Sequence, residues 1–72
     1  MKIRWVDRRA VGQMLWIQTS RAPHEGFSAW VEGLTAEDRR DPGRPETCFY
    51  GRGAIGKAKA AAQIVVDLRG RR

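Results

Sequence analysis

Cysteine, histidine and long apolar runs are scarce in this sequence, and each shortage removes a class of function. The single cysteine, Cys48, has no second cysteine in the chain to pair with, which fits a reducing compartment and excludes a Cys-rich zinc knuckle. It reads as a small strand residue. The single histidine, His24, leaves any metal site or Cys-His catalytic pair short of partners. No apolar run approaches the roughly 20 residues needed to cross a bilayer. Met1 leads into Lys2, Arg4 and Trp5 without the apolar segment of a secretion signal. A cytoplasmic location and no membrane partner are therefore expected. No Ser-His-Asp or paired-carboxylate arrangement stands out, and Glu37, Asp38 and Asp41 fall in a polar stretch that reads as too mobile to tune a pKa. The expectation is a protein that is not an enzyme, with no catalytic, metal or cofactor residues.

What remains is small, basic and rich in tryptophan. Seventy-two residues with 42% hydrophobic content and three Trp suit one domain with a compact core, close to the size at which a single core struggles to offset chain entropy. That domain is expected to span 1–69, followed by a basic tail at 70–72. The net charge of +6 is uneven: residues 1–21 carry five basic and one acidic, 22–47 three basic and six acidic, and 48–72 six basic and one acidic. Basic ends around an acidic middle favour either polyanions or an acidic protein surface as partner.

Lys2 to Val6 and Gln13 to Ser20 read as strands of a first hairpin, with Arg8 to Gly12 as the turn. Arg21-Ala22-Pro23-His24-Glu25-Gly26 then turns the chain into a strand from Phe27 to Leu34. Pairing Ser20 with Gly26 sets Leu15 against Val31, Ile17 against Ala29 and Thr19 against Phe27 on the core face. The same register sets Trp16 against Trp30 on the other face, beside Met14, and beside Arg4 if Ile3 and Trp5 join the core. The stretch from Thr35 to Glu46 reads as an exposed, mobile loop opening with a helical turn capped by Thr35. Thr47 to Gly51 forms a last short strand. A helix from about Ile55 to Arg69 buries Ala58, Ala61, Ala62, Val65 and Leu68 at helical spacing, and the last residues, Gly70 to Arg72, are expected to fray. The fold class is therefore α+β: an antiparallel sheet of three to four strands (β-β-β-β-α) with one C-terminal helix packed on one face.

Gly51 to Lys57 has the spacing G-x-x-x-x-G-K of a phosphate-cradling loop. Ala58 stands where a Ser or Thr hydroxyl should hold magnesium, and the chain leaves no room for the parallel sheet of a nucleotidase. The surviving expectation is a basic helix start, with Arg52, Lys57 and Lys59 placed for an anion. Trp16 and Trp30 with Arg4 on an uncovered sheet face combine the residue types of nucleic-acid stacking platforms and of protein hot spots. His24, at a loop tip, is a further candidate for ligand contact.

From Ala22 to Leu68 the chain resembles the C-terminal part of a double-stranded-RNA-binding domain, through Pro23 and His24 before Phe27 and Val31, and Gly51, Gly53, Lys57, Lys59, Ala61 and Ala62 at the start of an Ala-rich helix. The resemblance implies that His24 probes a minor groove and that Lys57 and Lys59 meet phosphates. In kind rather than in motif, the chain is similar to the small phage-encoded inhibitors of bacterial defence, the anti-CRISPR proteins. That implies stoichiometric binding to a protein or ribonucleoprotein complex that handles nucleic acid. Direct binding of RNA or DNA and a homodimeric structural role stand as alternatives.

Overall fold

Alternation of apolar and polar residues in Leu15-Trp16-Ile17-Gln18 sends Leu15 and Ile17 to one side and Trp16 and Gln18 to the other, and this segment becomes the spine of the sheet. The computed structural model describes residues 1–24 and 26–72. Its elements in chain order are β1 (Trp5–Val6), β2 (Arg9–Ala10), β3 (Leu15–Ala22), β4 (Gly26–Glu32), α1 (Ala36–Arg40), β5 (Cys48–Tyr50) and α2 (Ala54–Arg69). The strands form a five-stranded antiparallel sheet in the order β1-β2-β3-β4-β5. With α2 across one face, the protein is of the α+β class.

The additional strand is β2, inside the stretch expected as a single turn. Asp7 adopts φ +55°, a left-handed conformation that Asp tolerates better than most residues. The chain therefore reverses at Asp7 and Arg8, and β1 pairs with β2 through Trp5 and Ala10 rather than with β3. A second reversal, with Gly12 at φ +77° and Met14 at φ +56°, leads into β3.

The β3–β4 register also differs from the sequence expectation. Ala22, not Ser20, lies opposite Gly26, so Ile17 faces Val31, Thr19 faces Ala29 and Trp16 faces Glu32. The shift is by two residues, and a side-chain period of two leaves every face assignment intact. The cause is a tighter turn at Pro23 and His24, closed by Gly26 at φ +78°; Glu25, which the sequence places in that turn, lies outside the described residues.

Under α2 the core joins Leu15, Ile17, Ala29 and Val31 to Ala54, Ala58, Ala61, Ala62, Val65 and Val66, with Ile3 and Ala10 at one end. Alanines along the buried stripe let the helix axis sit close to the sheet. Phe27 and Leu68, expected in the core, are only half-buried. Phe27 pairs with Arg21 at the far end of the hairpin, where the Arg21 guanidinium lies 5.3 Å from its ring centre.

The connection from β4 to β5 is not the mobile loop expected. Thr35 caps α1 with a reciprocal box: its hydroxyl accepts from the Asp38 N–H at 3.1 Å, and Asp38 Oδ2 accepts from the Thr35 N–H at 2.8 Å. Asp38 then receives Arg69 Nε at 3.0 Å, Arg69 Nη2 at 2.6 Å and Arg72 Nη1 at 2.9 Å. Arg72 also donates to Asp41 at 3.2 Å, so the C-terminal residues expected to fray are tied to α1. Arg69 reaches further, donating to the Gln13 carbonyl at 3.0 Å.

Candidate functional site

Among the described residues, no helix covers the face of the sheet away from α2. Its rows follow from the register: Val6, Arg9, Trp16 and Glu32 lie side by side, then Gln18, Trp30 and Cys48, then Ser20, Ser28 and Tyr50. Trp16 is 43% exposed and Met14, just before β3, 86%. Val6 and Tyr50 are also exposed. Trp30 is half-buried, and its indole N–H donates to Glu32 Oε1 at 2.6 Å. The two tryptophans are diagonal neighbours in the register rather than directly opposed. The bent β1–β2 hairpin and β3 enclose an open groove of about 880 Å³ beside Trp16, lined by Val6, Arg9, Met14 and Gln18 among others.

The sequence-predicted residues do not converge on one surface. Trp16 and Trp30 share the open face, and Arg4 is exposed between Ile3 and Trp5, both of which join the core side. Lys57 and Lys59 belong to α2, on the other side of the sheet, and two residues of helix turn them to opposite flanks. Lys59 is half-buried, its Nζ 5.1 Å from the Trp5 ring centre, a cation–π contact that packs the helix against β1. Arg52 is exposed in the turn between β5 and α2, and His24 is exposed in the β3–β4 turn. The phosphate-loop spacing from Gly51 to Lys57 collapses into a short turn, Gly51 to Gly53, with the rest already helical.

Arg9, like Val6 and Tyr50, is an open-face residue that the sequence does not single out, since Arg8 to Gly12 reads as a turn. Read as a short strand, Arg9-Ala10 alternates in phase with Trp16-Leu15, and that is the signal that would have found it. The Asp38 cluster is a second omission. Its carboxyl is held well below the usual carboxylate range, chiefly by the hydrogen bond from Arg69, against the opposing effect of burial, with the Thr35 N–H and Arg72 adding to it. The cluster is saturated with protein partners, so it serves the fold rather than a ligand. Among the described residues, no group of three or more His, Cys, Asp or Glu is placed to hold a metal ion, and no helix is long and apolar enough to cross a membrane.

Compared with known proteins, the chain matches no family, and no curated sequence or solved structure is significantly similar to it.

Proposed function

We propose that this chain is a non-enzymatic binding protein that docks its uncovered sheet face on a protein of a nucleic-acid-handling complex and blocks it sterically, in the manner of anti-CRISPR proteins. One observation carries the reading: Trp16 and Val6 are exposed on a face that no helix among the described residues covers, next to Trp30 and Arg9, and the exposed Met14 lines the same groove. Rigid aromatic side chains beside an arginine supply much of an interface's affinity, because they bury large areas at small entropic cost.

Two features favour a protein over a nucleic acid. Glu32 sits between the tryptophans in the register and takes the Trp30 N–H, setting a carboxylate where a phosphate backbone would pass. The lysines of α2 lie on the far side of the sheet, so a rigid duplex cannot meet them and the tryptophans at once.

The test uses the tagged protein and its Trp16→Ala and Trp30→Ala variants to capture complexes from the native host, with and without nuclease. A protein partner that survives nuclease and binds the folded Trp30→Ala variant about 2 kcal/mol more weakly supports the reading. A gel shift of duplex or single-stranded nucleic acid that weakens steeply with added salt would replace it with direct nucleic-acid binding.

A further inference from the structure

β3 is much longer than its neighbour β2, and the difference leaves a slot at the edge of the sheet. β2 reaches only as far as Arg9, opposite Trp16, before the chain turns away at Asp7 and Arg8. The last bond across this edge is the Ile17 N–H to the Arg8 carbonyl at 2.7 Å. Hydrogen-bonding direction alternates along a strand, so the Thr19 and Arg21 backbone groups point to the same edge as those of Ile17. Among the described residues, no strand stands beside them there. An edge of this kind is a template for an added strand.

The charges around the slot select what can enter. Arg8 lies along it, its Nη1 donating to Thr19 Oγ1 at 2.6 Å, and Arg21, exposed at the far end of the slot, rests its guanidinium over the Phe27 ring on the β4 side. Both arginines belong to the helix-side row, with Thr19 and Arg21 pointing to that face. The open-face row beside the slot is Trp16, Gln18 and Ser20, continuous with the groove of about 880 Å³. A second copy of the chain added here would bring its own Arg8 and Arg21 against the first pair, in a protein of net charge +6. Like charges on facing strands are destabilising, so the arginines disfavour self-pairing.

We infer that the β3 edge from Gln18 to Ala22 takes an extended acidic segment of the partner protein, added antiparallel in line with β2. Its acidic side chains alternate onto the helix side, against Arg8 and Arg21. Its apolar side chains alternate onto the open face, against Trp16 and into the groove. This rests on the proposed function and names the chemistry of the partner that the open face meets.

The experiment follows amide hydrogen exchange and indole signals of the labelled protein by NMR. The probes are a short capped peptide alternating glutamate with valine and its lysine-for-glutamate counterpart. The glutamate peptide slows exchange at the Thr19 and Arg21 amides about tenfold or more, and the lysine peptide does not. The Arg8→Glu, Arg21→Glu double variant, both positions being exposed, reverses that preference. Equal effects of the two peptides, no slowing with either, or slowing at β5 instead would overturn the inference. Slowing that grows with protein concentration and needs no peptide would put a second copy in the slot and overturn it as well. A shift of the Trp16 and Trp30 indole signals without protection at Thr19 and Arg21 would overturn the strand inference while leaving the docking face standing.

Discussion

Replacing Asp38 with asparagine asks how much of this small fold depends on one carboxylate. Asp38 is 2% exposed and accepts from Arg69 Nε, Arg69 Nη2, Arg72 Nη1 and the Thr35 N–H. Asparagine keeps the shape but retains one acceptor oxygen and turns an NH2 group toward a guanidinium. Breaking a buried ion pair by removing one partner costs roughly 3–5 kcal/mol. The Arg69 and Arg72 side chains are 24% and 27% exposed, so water recovers part of their solvation and the expected loss is about 3 kcal/mol. At roughly 0.05–0.15 kcal/mol per residue, a domain of this length has only about 4–11 kcal/mol in total. The midpoint of thermal unfolding should therefore fall by roughly 12–24 °C.

Urea unfolding followed by tryptophan fluorescence measures the loss directly, provided the slope with denaturant is unchanged. The pH dependence gives an independent check. The folded-state pKa of Asp38 lies below its ordinary value, so the unfolded chain takes up the proton first as pH falls. Its stabilisation is complete above the unfolded pKa of about 3.9 and is lost as pH drops toward the folded value. The gap between wild type and Asp38→Asn should be constant above about pH 5 and shrink between about pH 4 and pH 2. A loss below about 1 kcal/mol, or a gap that does not narrow in acid, would refute the assignment of Asp38 as the tie between α1 and α2.

Gly33→Ala should cost at least about 2 kcal/mol in a thermal melt, because Gly33 has φ +94° and an added Cβ would run into the Met14 backbone carbonyl. Gly12→Ala, at φ +77° with open space around it, should cost only about 1 kcal/mol and serves as the control. Val65→Asp should abolish the folded circular dichroism spectrum, since Val65 is fully enclosed between α2 and the sheet and an unpaired carboxylate there has no partner.

The helix, the two central strands β3 and β4 and the faces their residues occupy were legible, because these depend on local periodicity. Ala58, Ala61, Ala62 and Val65 recur at helical spacing and are buried; Leu15 and Ile17 alternate with Trp16 and go to the opposite face. The cap at Thr35 was also legible as a local motif. Of the candidate surface, Trp16 and Trp30 could be placed on the open face. The grouping of Arg52, Lys57 and Lys59 with them could not hold, because nearness in sequence at the start of a helix says nothing about which side of the sheet the helix will cover.

Composition and periodicity by themselves determined a small basic α+β domain with an alanine-faced helix and a tryptophan-bearing sheet face. Those properties are set within a few residues, by side-chain spacing and backbone preference. Only the tertiary structure decided the remaining features, which are two turn geometries and one ion-pair cluster between residues far apart in the chain. The left-handed turn at Asp7 made the second strand and left the edge of β3 open. The turn before Gly26 set the register. Arg69 and Arg72 reached back 31 and 34 residues to Asp38 and held the acidic connection in place. An ion pair at such a separation has no local signature: it forms only because the packing of α2 has already brought its last turn to α1, where burial makes the carboxylate require those arginines.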